Sequence, residues 1–263
     1  MYTADLAKNT SIPTRILGKT GLPVTCIGLG GEGVLRTFGK TSEAVKVIHR
    51  ALDIGITYFD CARAYAGSEG YYGAALGARR DSIFLTSKAF ERSRKGAMEQ
   101  LETTLSTMKT SYLDLWQVHD IRKYGELEEI SSPGGALEAF VEARAQGKVR
   151  FIGVTAHYDA SVLKKALHLF DFDTVLMPLS AAHPHFKPFL TDVLPIALDK
   201  GMGIITMKVL GGTFVPERRT PGEVKKLITY SLSLPVSTMV IGCSSPGEVE
   251  MNAGFAREFK TLL

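Results

Sequence analysis

The 263-residue sequence has few of the features that mark secreted, membrane-spanning or nucleic-acid-binding proteins. It contains only three cysteines, Cys26, Cys61 and Cys243, and none of them forms the C-x-x-C pattern of many metal sites. No apolar run approaches the ~20 residues that a membrane helix needs. The net charge of +4 comes without a run of lysine, arginine and interleaved aromatic residues. We therefore expect no bound metal, no membrane insertion and no nucleic-acid partner.

The cysteine count and the N-terminus also bear on the compartment. An odd number of cysteines does not fit a framework of paired disulfides, and the first eleven residues are polar rather than a secretion signal. These observations predict a protein of the reducing cytoplasm. Because no large apolar stripe lies outside the helix faces, we expect a monomer by default.

Short apolar runs alternate with amphipathic segments along the whole sequence. The eight runs are TCIGLGG, ITYFDCA, SIFLTSKA, YLDLWQVH, RFIGVTA, TVLMPLS, GIITMKVL and TMVIGC. Segments of helical period, such as SEAVKVIHRALDIG, AMEQLETTLSTMK and GALEAFVEARAQG, lie between them. Strict alternation requires parallel strands joined by right-handed crossovers. The pattern predicts an α/β fold, a (β/α)8 TIM barrel, formed by residues 1–263 as a single domain.

An open Rossmann-like sheet is the alternative to the barrel. The early glycine cluster GLGGEG, Gly28 to Gly33, does not show the full G-x-G-x-x-G spacing followed directly by a helix, which argues against that alternative. We interpret Gly31 as a position of close backbone approach.

Four chemically reactive side chains lie at or just after the ends of consecutive apolar runs: Asp60, Tyr65, Lys88 and His119. In a barrel, strand ends on the C-terminal face converge on one mouth. A tyrosine titrates near pH ~10, so a nearby lysine would help it to exchange a proton, and a histidine can donate a hydrogen bond to a carbonyl oxygen. The pattern predicts a proton-transfer site. A purely structural Asp60–Lys88 salt bridge stays open as the alternative.

These residues form a recognisable motif. The pattern Asp-x-Ala-x-x-Tyr-x-x-Ser-Glu occurs here as Asp60, Ala62, Tyr65, Ser68 and Glu69. It resembles the corresponding motif of the aldo-keto reductase superfamily. The resemblance extends from TRILGKTGLPVTCIGLGG, which looks like an N-terminal β-hairpin and first barrel strand, to VIGCSSPGEVEMN near the end of the sequence.

The resemblance implies a reaction and a role for each residue. It implies an NAD(P)H-dependent oxidoreductase that reduces aldehydes and ketones to alcohols by hydride transfer. Tyr65 would be the general acid, Lys88 and Asp60 the pair that lowers its pKa, and His119 the residue that orients the substrate. The implied cofactor is NADPH, with NADH possible.

The resemblance also implies a dinucleotide site across the last two strands. The residues implied to bind the cofactor are Gly31, Thr155, Lys208, Leu210, Gly211, Gly242, Ser244, Ser245, Glu248 and Asn252. Free backbone N–H groups at the start of the last helix would face a phosphate, and Glu248 and Asn252 would contact the adenine. An ordinary serine N-cap is the alternative for that helix start. A Schiff-base role is a further alternative for Lys208.

The sequence departs from the family where it would bind the cofactor. Ser244 stands where many members have an arginine or lysine for the 2′-phosphate, and Arg218 and Arg219 are candidate substitutes, or else part of a solvated loop. Thr155, Ala156 and Leu176 replace the usual Ser-Asn and Gln that bind the nicotinamide amide. His157 and Ser180 are candidates for the missing hydrogen bonds.

The expectations for the substrate pocket are less specific. The sequence ends soon after Asn252, so we expect an open pocket walled partly by a loop after His119, with Phe38, Tyr124 and Phe186 as candidate aromatic contacts. Such a pocket predicts activity on small aldehydes and activated ketones. The alternative function is a cofactor-binding, redox-sensing regulatory subunit with slow turnover, and a purely structural barrel comes third.

Overall fold

A hairpin and a closed barrel form the framework of the protein. The computed structural model describes residues 11–212 and 219–259. An antiparallel hairpin of β1 (Thr14–Ile16) and β2 (Pro23–Thr25) precedes the barrel. The barrel strands are β3 (Ile27–Gly33), β4 (Tyr58–Phe59), β5 (Phe84–Ala89), β6 (Leu113–Val118), β7 (Val149–Thr155), β8 (Thr174–Pro178), β9 (Gly203–Met207) and β10 (Thr238–Cys243). They are parallel, and β10 pairs with β3 to close the ring.

Helices follow the strands and cover the outside of the barrel. They are α1 (Thr41–Asp53), α2 (Ser68–Ala75), α3 (Arg94–Met108), α4 (Tyr124–Ser131), α5 (Ala136–Ala145), α6 (Ala160–Leu169), α7 (Leu194–Asp199), α8 (Pro221–Ser233) and α9 (Pro246–Glu258). Both α4 and α5 lie between β6 and β7. No helix in the described part of the chain is long and apolar enough to cross a membrane.

The periodicity of α1 shows how the helices attach to the barrel. Its buried residues Ala44, Val47, Ile48 and Ala51 recur at helical spacing and form one apolar face. The strands of the barrel wall are buried almost throughout, as in β5 and β6, where every residue is buried. Burial of each Val, Leu or Ile contributes ~1.5–3 kcal/mol. The core therefore forms between the helices and the barrel wall, and also inside the barrel.

The predicted barrel with its N-terminal hairpin is confirmed, and closure of the sheet excludes the open Rossmann alternative. The segment after His119 was expected to be a loop, but it contains α4, whose buried residues Leu127 and Ile130 lie one turn apart. The helix α2 was also not predicted, because two glycines interrupt its short sequence, SEGYYGAA.

A buried ionic cluster lies at the amino-terminal ends of β5 to β7. Asp114 Oδ2 is 2.9 Å from Arg80 Nη2, and Asp114 Oδ1 accepts a 2.7 Å hydrogen bond from Arg150 Nη1. The backbone N–H of Leu85 donates to Asp114 Oδ2 at 2.9 Å. This cluster lies at the opposite end of the strands from the predicted site.

Candidate active site

The ends of β4 and β5 bring Asp60 and Lys88 together. Lys88 Nζ donates to Asp60 Oδ1 at 2.8 Å and to Oδ2 at 2.7 Å, and both residues are no more than 2% exposed. A third hydrogen bond of 2.6 Å joins Lys88 Nζ to the carbonyl oxygen of Cys61. Thr86 Oγ1 also donates to Asp60 Oδ1 at 3.1 Å. The ammonium and carboxylate are thus held in one fixed arrangement.

Lys88 has used its three N–H donors on these acceptors. Burial is the strongest influence on the pKa of Lys88 and lowers it, but the charge of Asp60, the neighbouring Tyr65 and the hydrogen bond to Asp60 together outweigh burial, so the net pKa lies above the ordinary value. Lys88 is therefore a permanent cation at neutral pH. It acts on neighbouring groups through its charge.

Tyr65 lies between these charged groups and the barrel mouth. Its ring centroid is 4.8 Å from Lys88 Nζ and 5.6 Å from the His119 ring, to which it lies edge-on. A Cβ atom on Gly31 would approach the Tyr65 ring to 2.4 Å, so this glycine permits the close contact. The side chain is only 7% exposed.

The net pKa of Tyr65 differs from the expectation that Lys88 lowers it. Burial raises the pKa to about 12, although the charge of Lys88 opposes that rise. In the protein alone, desolvation of the phenolate outweighs attraction to the lysine. Tyr65 is therefore fully protonated at neutral pH, as a proton donor has to be.

His119 directly follows β6 and is 7% exposed. Burial, and then the positive charge of Lys88, hold its pKa well below the ordinary value. His119 is therefore a neutral imidazole at pH 7, with one ring N–H to donate. Arg92 Nη2 donates to the His119 carbonyl oxygen at 2.8 Å and fixes the backbone here.

Two cavities meet at Tyr65, His157 and Lys208. The first, of about 520 Å³, extends between the ends of β3, β9 and β10. Apolar side chains and glycines make up most of its wall: Gly30, Gly31, Leu176, Met207, Val209, Leu210, Gly212, Val240, Ile241 and Gly242. We call it the strand-end cavity.

The second cavity, of about 400 Å³, is mainly polar, and we call it the arginine cavity. Its wall consists of Arg36, Ala64, Tyr65, Phe90, Arg92, His119, Asp120, Arg122, Glu126, His157, Tyr158 and Lys208. A larger cavity of about 760 Å³ lies beside Arg15 between α8 and α9, but it shares no residue with the site. We give it no part in the chemistry because no group of the site reaches it.

Some of the residues implied to bind a cofactor lie at the strand-end cavity. Gly31, Lys208, Leu210 and Gly242 line it. Gly211 is buried beside them and donates its N–H to the Lys208 carbonyl oxygen at 2.8 Å.

Thr155 does not line either cavity. It is fully buried, and its hydroxyl oxygen accepts a 2.7 Å hydrogen bond from the backbone N–H of Asp120. Thr155 ends β7 two residues before His157, which lines both cavities, and its side chain anchors the loop after β6. A contact between Thr155 and a cofactor stays a prediction.

The start of α9 also differs from the expectation of free N–H groups. Ser245 is the N-cap, and its Oγ accepts from the backbone N–H of Glu248 at 3.3 Å. The Glu248 carboxylate in turn accepts from the backbone N–H of Ser244 at 2.7 Å. A carboxylate therefore occupies the positive end of this helix, so a phosphate would first have to displace it.

Asn252 is 4% exposed, on the inner face of α9. Its Nδ2 donates to Cys243 Sγ at 3.5 Å, while its Oδ1 has no hydrogen-bond partner within the described ranges. An unmatched buried amide oxygen is costly, and it is an acceptor suited to an amino group such as that of adenine.

The other candidates have different surroundings. Arg218 lies outside the described residues, and Arg219 Nε donates to the Leu210 carbonyl oxygen at 3.0 Å. Ser180 donates to the Val209 carbonyl oxygen at 2.7 Å, which makes it a loop anchor. His157 lines both cavities.

The candidate aromatic contacts of the substrate do not line either of the two cavities. Phe186 is buried and lines a separate cavity, while Phe38 and Tyr124 are exposed outside both walls. Phe90 and Tyr158 line the arginine cavity instead. The sequence reasoning also missed Arg92, although it follows β5 by only three residues, where the rule that selected Lys88 would have found it.

Comparisons with known proteins identify the family of the chain and agree with its fold. L-Galactose dehydrogenase of Arabidopsis thaliana is 28% identical over 96% of this chain and 91% of its own length. A putative voltage-gated potassium channel subunit beta of Schizosaccharomyces pombe is 28% identical over 85% of this chain and 70% of its own. The crystal structure of an aldo/keto reductase from Klebsiella pneumoniae in complex with NADP and acetate superposes with a TM-score of 0.78. Its identity is 21%, with 95% of this chain and 91% of the other covered. Residues 26–229 match the profile of the Aldo/keto reductase family, and the chain belongs to that family.

Proposed function

We propose that the protein reduces small aldehydes and ketones to alcohols with a reduced nicotinamide dinucleotide. The observation that carries this proposal is the meeting of the two cavities at Tyr65. A donor in the strand-end cavity and a carbonyl compound in the arginine cavity would contact each other beside a phenol and a neutral imidazole. Family membership supports the same reaction class.

The strand-end cavity fits a dinucleotide in size and in wall chemistry. Its volume lies within the ~300–1,000 Å³ of cofactor and ligand pockets, and its wall is apolar with glycines where close backbone approach is needed. Lys208, Leu210 and Gly242 would hold the cofactor there, and Asn252 on α9, which contacts Cys243 next to Gly242, has an unmatched Oδ1. When bound, the cofactor supplies the hydride that adds to the carbonyl carbon. We propose NADPH, with NADH as the alternative.

The protein's own residues act on the carbonyl oxygen. The neutral His119 donates a hydrogen bond that orients this oxygen, and Tyr65 donates the proton that completes the alcohol. A phenol with a pKa of about 12 is a weak acid, but an alkoxide is a stronger base, since water itself ionises at roughly 15.7. Proton donation therefore becomes favourable as negative charge develops on the oxygen.

Lys88 and Asp60 act through Tyr65. The fixed positive charge of Lys88, 4.8 Å from the ring centroid, stabilises the phenolate that remains after proton donation. Asp60 keeps the ammonium charged and in place. The pair thus has a role beyond the stability of the barrel.

Isothermal titration of the purified protein with NADPH and with NADH, at one salt concentration, tests the cofactor proposal. We expect micromolar or tighter binding of at least one. The loaded protein is then mixed with butanal, and in the reverse direction the oxidised complex is mixed with L-galactose, named for the plant relative. Absence of dinucleotide binding would remove the reductase proposal.

The second candidate function is a redox-sensing subunit with slow turnover. The 28% sequence identity to a putative potassium channel subunit beta supports this candidate. Such a subunit retains oxidised cofactor after one hydride transfer, whereas a free enzyme releases it in every cycle. Comparison of single-turnover and steady-state rates separates the two. A monomer in a reducing cytoplasm stays a prediction from the sequence.

A further inference from the structure

The arginine cavity has an unusual charge for a site that binds a neutral carbonyl compound. Four cationic side chains, Arg36, Arg92, Arg122 and Lys208, line it together with two carboxylates, Asp120 and Glu126. His119 and His157 add no charge at neutral pH, because burial holds the pKa of each below its ordinary value. The wall therefore carries a net charge of +2.

Two of the cations are matched by carboxylates at short distance. Arg122 Nε donates to Asp120 Oδ2 at 2.7 Å. Arg36 Nη1 donates to Glu32 Oε1 at 2.6 Å, and Glu32 lines the strand-end cavity. No carboxylate in the described ranges lies within 4 Å of Lys208 Nζ. Lys208 also lines the strand-end cavity, where its ammonium group would pair with a phosphate of a bound dinucleotide.

Arg92 has the loosest ion pair of the three arginines. Its side chain is only 12% exposed, and its Nη2 lies 3.6 Å from Glu126 Oε2, within ion-pair range but beyond a normal hydrogen bond. That carboxylate oxygen is instead 2.7 Å from the backbone N–H of Arg122. Arg92 Nη1 is buried without a hydrogen-bond partner within the described ranges. A buried guanidinium with unused N–H donors is stabilised by an oxyanion.

The guanidinium of Arg92 is also held in place beside the reacting groups. Its Nη2 donates to the His119 carbonyl oxygen at 2.8 Å and to the Asp120 carbonyl oxygen at 3.3 Å. Asp120 adopts a left-handed backbone with φ of 50°, and its Oδ1 is buried without a partner within the described ranges. Strain of this kind, ~1–3 kcal/mol, persists where the surrounding structure fixes a functional arrangement.

We propose that the preferred substrates are small aldehydes or ketones that carry a carboxylate or phosphate, bound by Arg92 while the carbonyl oxygen is held at Tyr65 and His119. The inference rests on the proposed function, because it names the substrate class of the same site. The cavity of about 400 Å³ limits the molecule to a short chain between the carbonyl and the anionic group. The chemical step is unchanged: a hydride adds to carbon and Tyr65 supplies the proton.

Matched substrates that differ in one anionic group test the proposal. The pairs are succinic semialdehyde against butanal, and glyceraldehyde 3-phosphate against glyceraldehyde. We expect at least one anionic member to have a kcat/KM about tenfold or more above its neutral partner, mainly through KM, and the two pairs show whether carboxylate or phosphate is preferred. Equal or better use of both neutral members would overturn the proposal.

Variants then assign the effect to Arg92. Arg92→Gln should bring the anionic-to-neutral ratio of kcat/KM close to one by raising KM for the anionic member. Arg94→Gln is the matched control, since Arg94 lies two residues away but pairs with Glu142 at the surface, and the ratio should stay at the wild-type value. An unchanged ratio in Arg92→Gln would contradict the assignment.

A binding measurement separates this proposal from the reductase itself. Succinate and succinamide are titrated into wild-type protein saturated with NADP, and into the protein alone, so that the result depends neither on turnover nor on the folding of a variant. Succinate binding at least tenfold tighter than succinamide supports the anion site even if neither aldehyde is reduced. Equal binding of the two, together with reduction of butanal, leaves the reductase intact and rejects the anion site.

Discussion

Two buried ionic clusters lie at opposite ends of the same strands, and they differ in what surrounds them. At the amino-terminal end, Asp114 is held by Arg80, Arg150 and the Leu85 N–H, and we call this the lower cluster. At the carboxyl-terminal end, Lys88 is held by Asp60 and the Cys61 carbonyl oxygen, and we call this the upper cluster. Both clusters satisfy their charges with protein groups.

The difference lies in the neighbouring space. None of Arg80, Asp114 and Arg150 lines a cavity of the site, whereas Asp60 lines the strand-end cavity and Lys88 lies 4.8 Å from the ring centroid of Tyr65. A buried ion pair is therefore poor evidence for function on its own. It becomes evidence when a titratable group and a ligand-sized space lie beside it.

Tyr65→Phe removes the reactive neighbour from the upper cluster and should have the largest effect. We expect kcat to fall by ~10²–10⁴, the usual contribution of general acid–base catalysis, while dinucleotide binding stays close to wild type. Steady-state kinetics with butanal and isothermal titration measure the two quantities. Tyr112→Phe, at the surface near Asp81, is the control. Loss of dinucleotide binding along with turnover would contradict the assignment.

Asp114→Asn breaks the lower cluster and should affect stability instead. It leaves the buried Arg80 without its carboxylate, and breaking a buried ion pair costs ~3–5 kcal/mol of unfolding free energy, while the pair with the half-exposed Arg150 adds little. Urea unfolding measures this loss. The kcat of the remaining folded protein should equal that of wild type, and a fall in kcat would show that the lower cluster also supports catalysis.

The double variant Asp60→Asn, Lys88→Met sharpens the comparison by removing both charges of the upper cluster. Because no uncompensated buried charge is left, the free energy of unfolding should change by less than in Asp114→Asn. We still expect kcat to fall at least ~10-fold, since the phenolate of Tyr65 loses its stabilising cation. Wild-type kcat in the folded double variant would reduce the pair to a structural role.

His119 and His157, at the carboxyl-terminal ends of the strands, make the stability of the protein depend on pH. Burial, followed by the charge of Lys88, lowers the pKa of His119, and burial, followed by the charge of Lys208, lowers the pKa of His157 to about 3. Unfolded histidines titrate near ~6.5, so below that pH the unfolded chain binds more protons than the native protein, and stability falls. The expected slope between pH 6.5 and 5 approaches ~1.4 kcal/mol per pH unit for each histidine. Urea unfolding of wild type and His157→Asn checks this, and an identical slope in both would contradict it.

Glu248→Gln concerns an exposed carboxylate, where the expected effect is smallest. Removal of its charge from the start of α9 should raise affinity for NADPH relative to NADH, because a 2′-phosphate would no longer meet that carboxylate. An effect of ~0.3–1 kcal/mol at a helix terminus corresponds to a two- to fivefold change in the ratio of dissociation constants. An unchanged ratio in isothermal titration would place the 2′-phosphate elsewhere.

The sequence allowed prediction of the barrel and of the Asp60–Lys88 contact for physical reasons. Each candidate follows an apolar run, and parallel strands in a closed sheet bring their ends to one face, so position in sequence determines position in space. His157, a candidate from the sequence, follows β7 and also lies at the mouth. Arg92 follows β5 by three residues and satisfies the same rule, but it has no part in the proton-transfer scheme that singled out the other residues.

Other features depend on side-chain packing that no spacing rule contains. The capping of Ser244 by Glu248 results from a rotamer choice at the helix start. The hydroxyl oxygen of Thr155 accepts a hydrogen bond from the Asp120 N–H, because the loop after β6 turns back at Asp120, whose backbone is left-handed. The raised pKa of Tyr65 follows from burial, which depends on the whole mouth of the barrel.

The most direct test of the account is single-turnover reduction of butanal by protein loaded with reduced dinucleotide, compared between Tyr65→Phe and Asp114→Asn. Loss of the nicotinamide absorbance reports hydride transfer in each folded, loaded protein. We expect Asp114→Asn to react at the wild-type rate and Tyr65→Phe to be slower by ~10²-fold or more. Reaction of Tyr65→Phe at the wild-type rate would show that the proton comes from another group, and would contradict the central assignment.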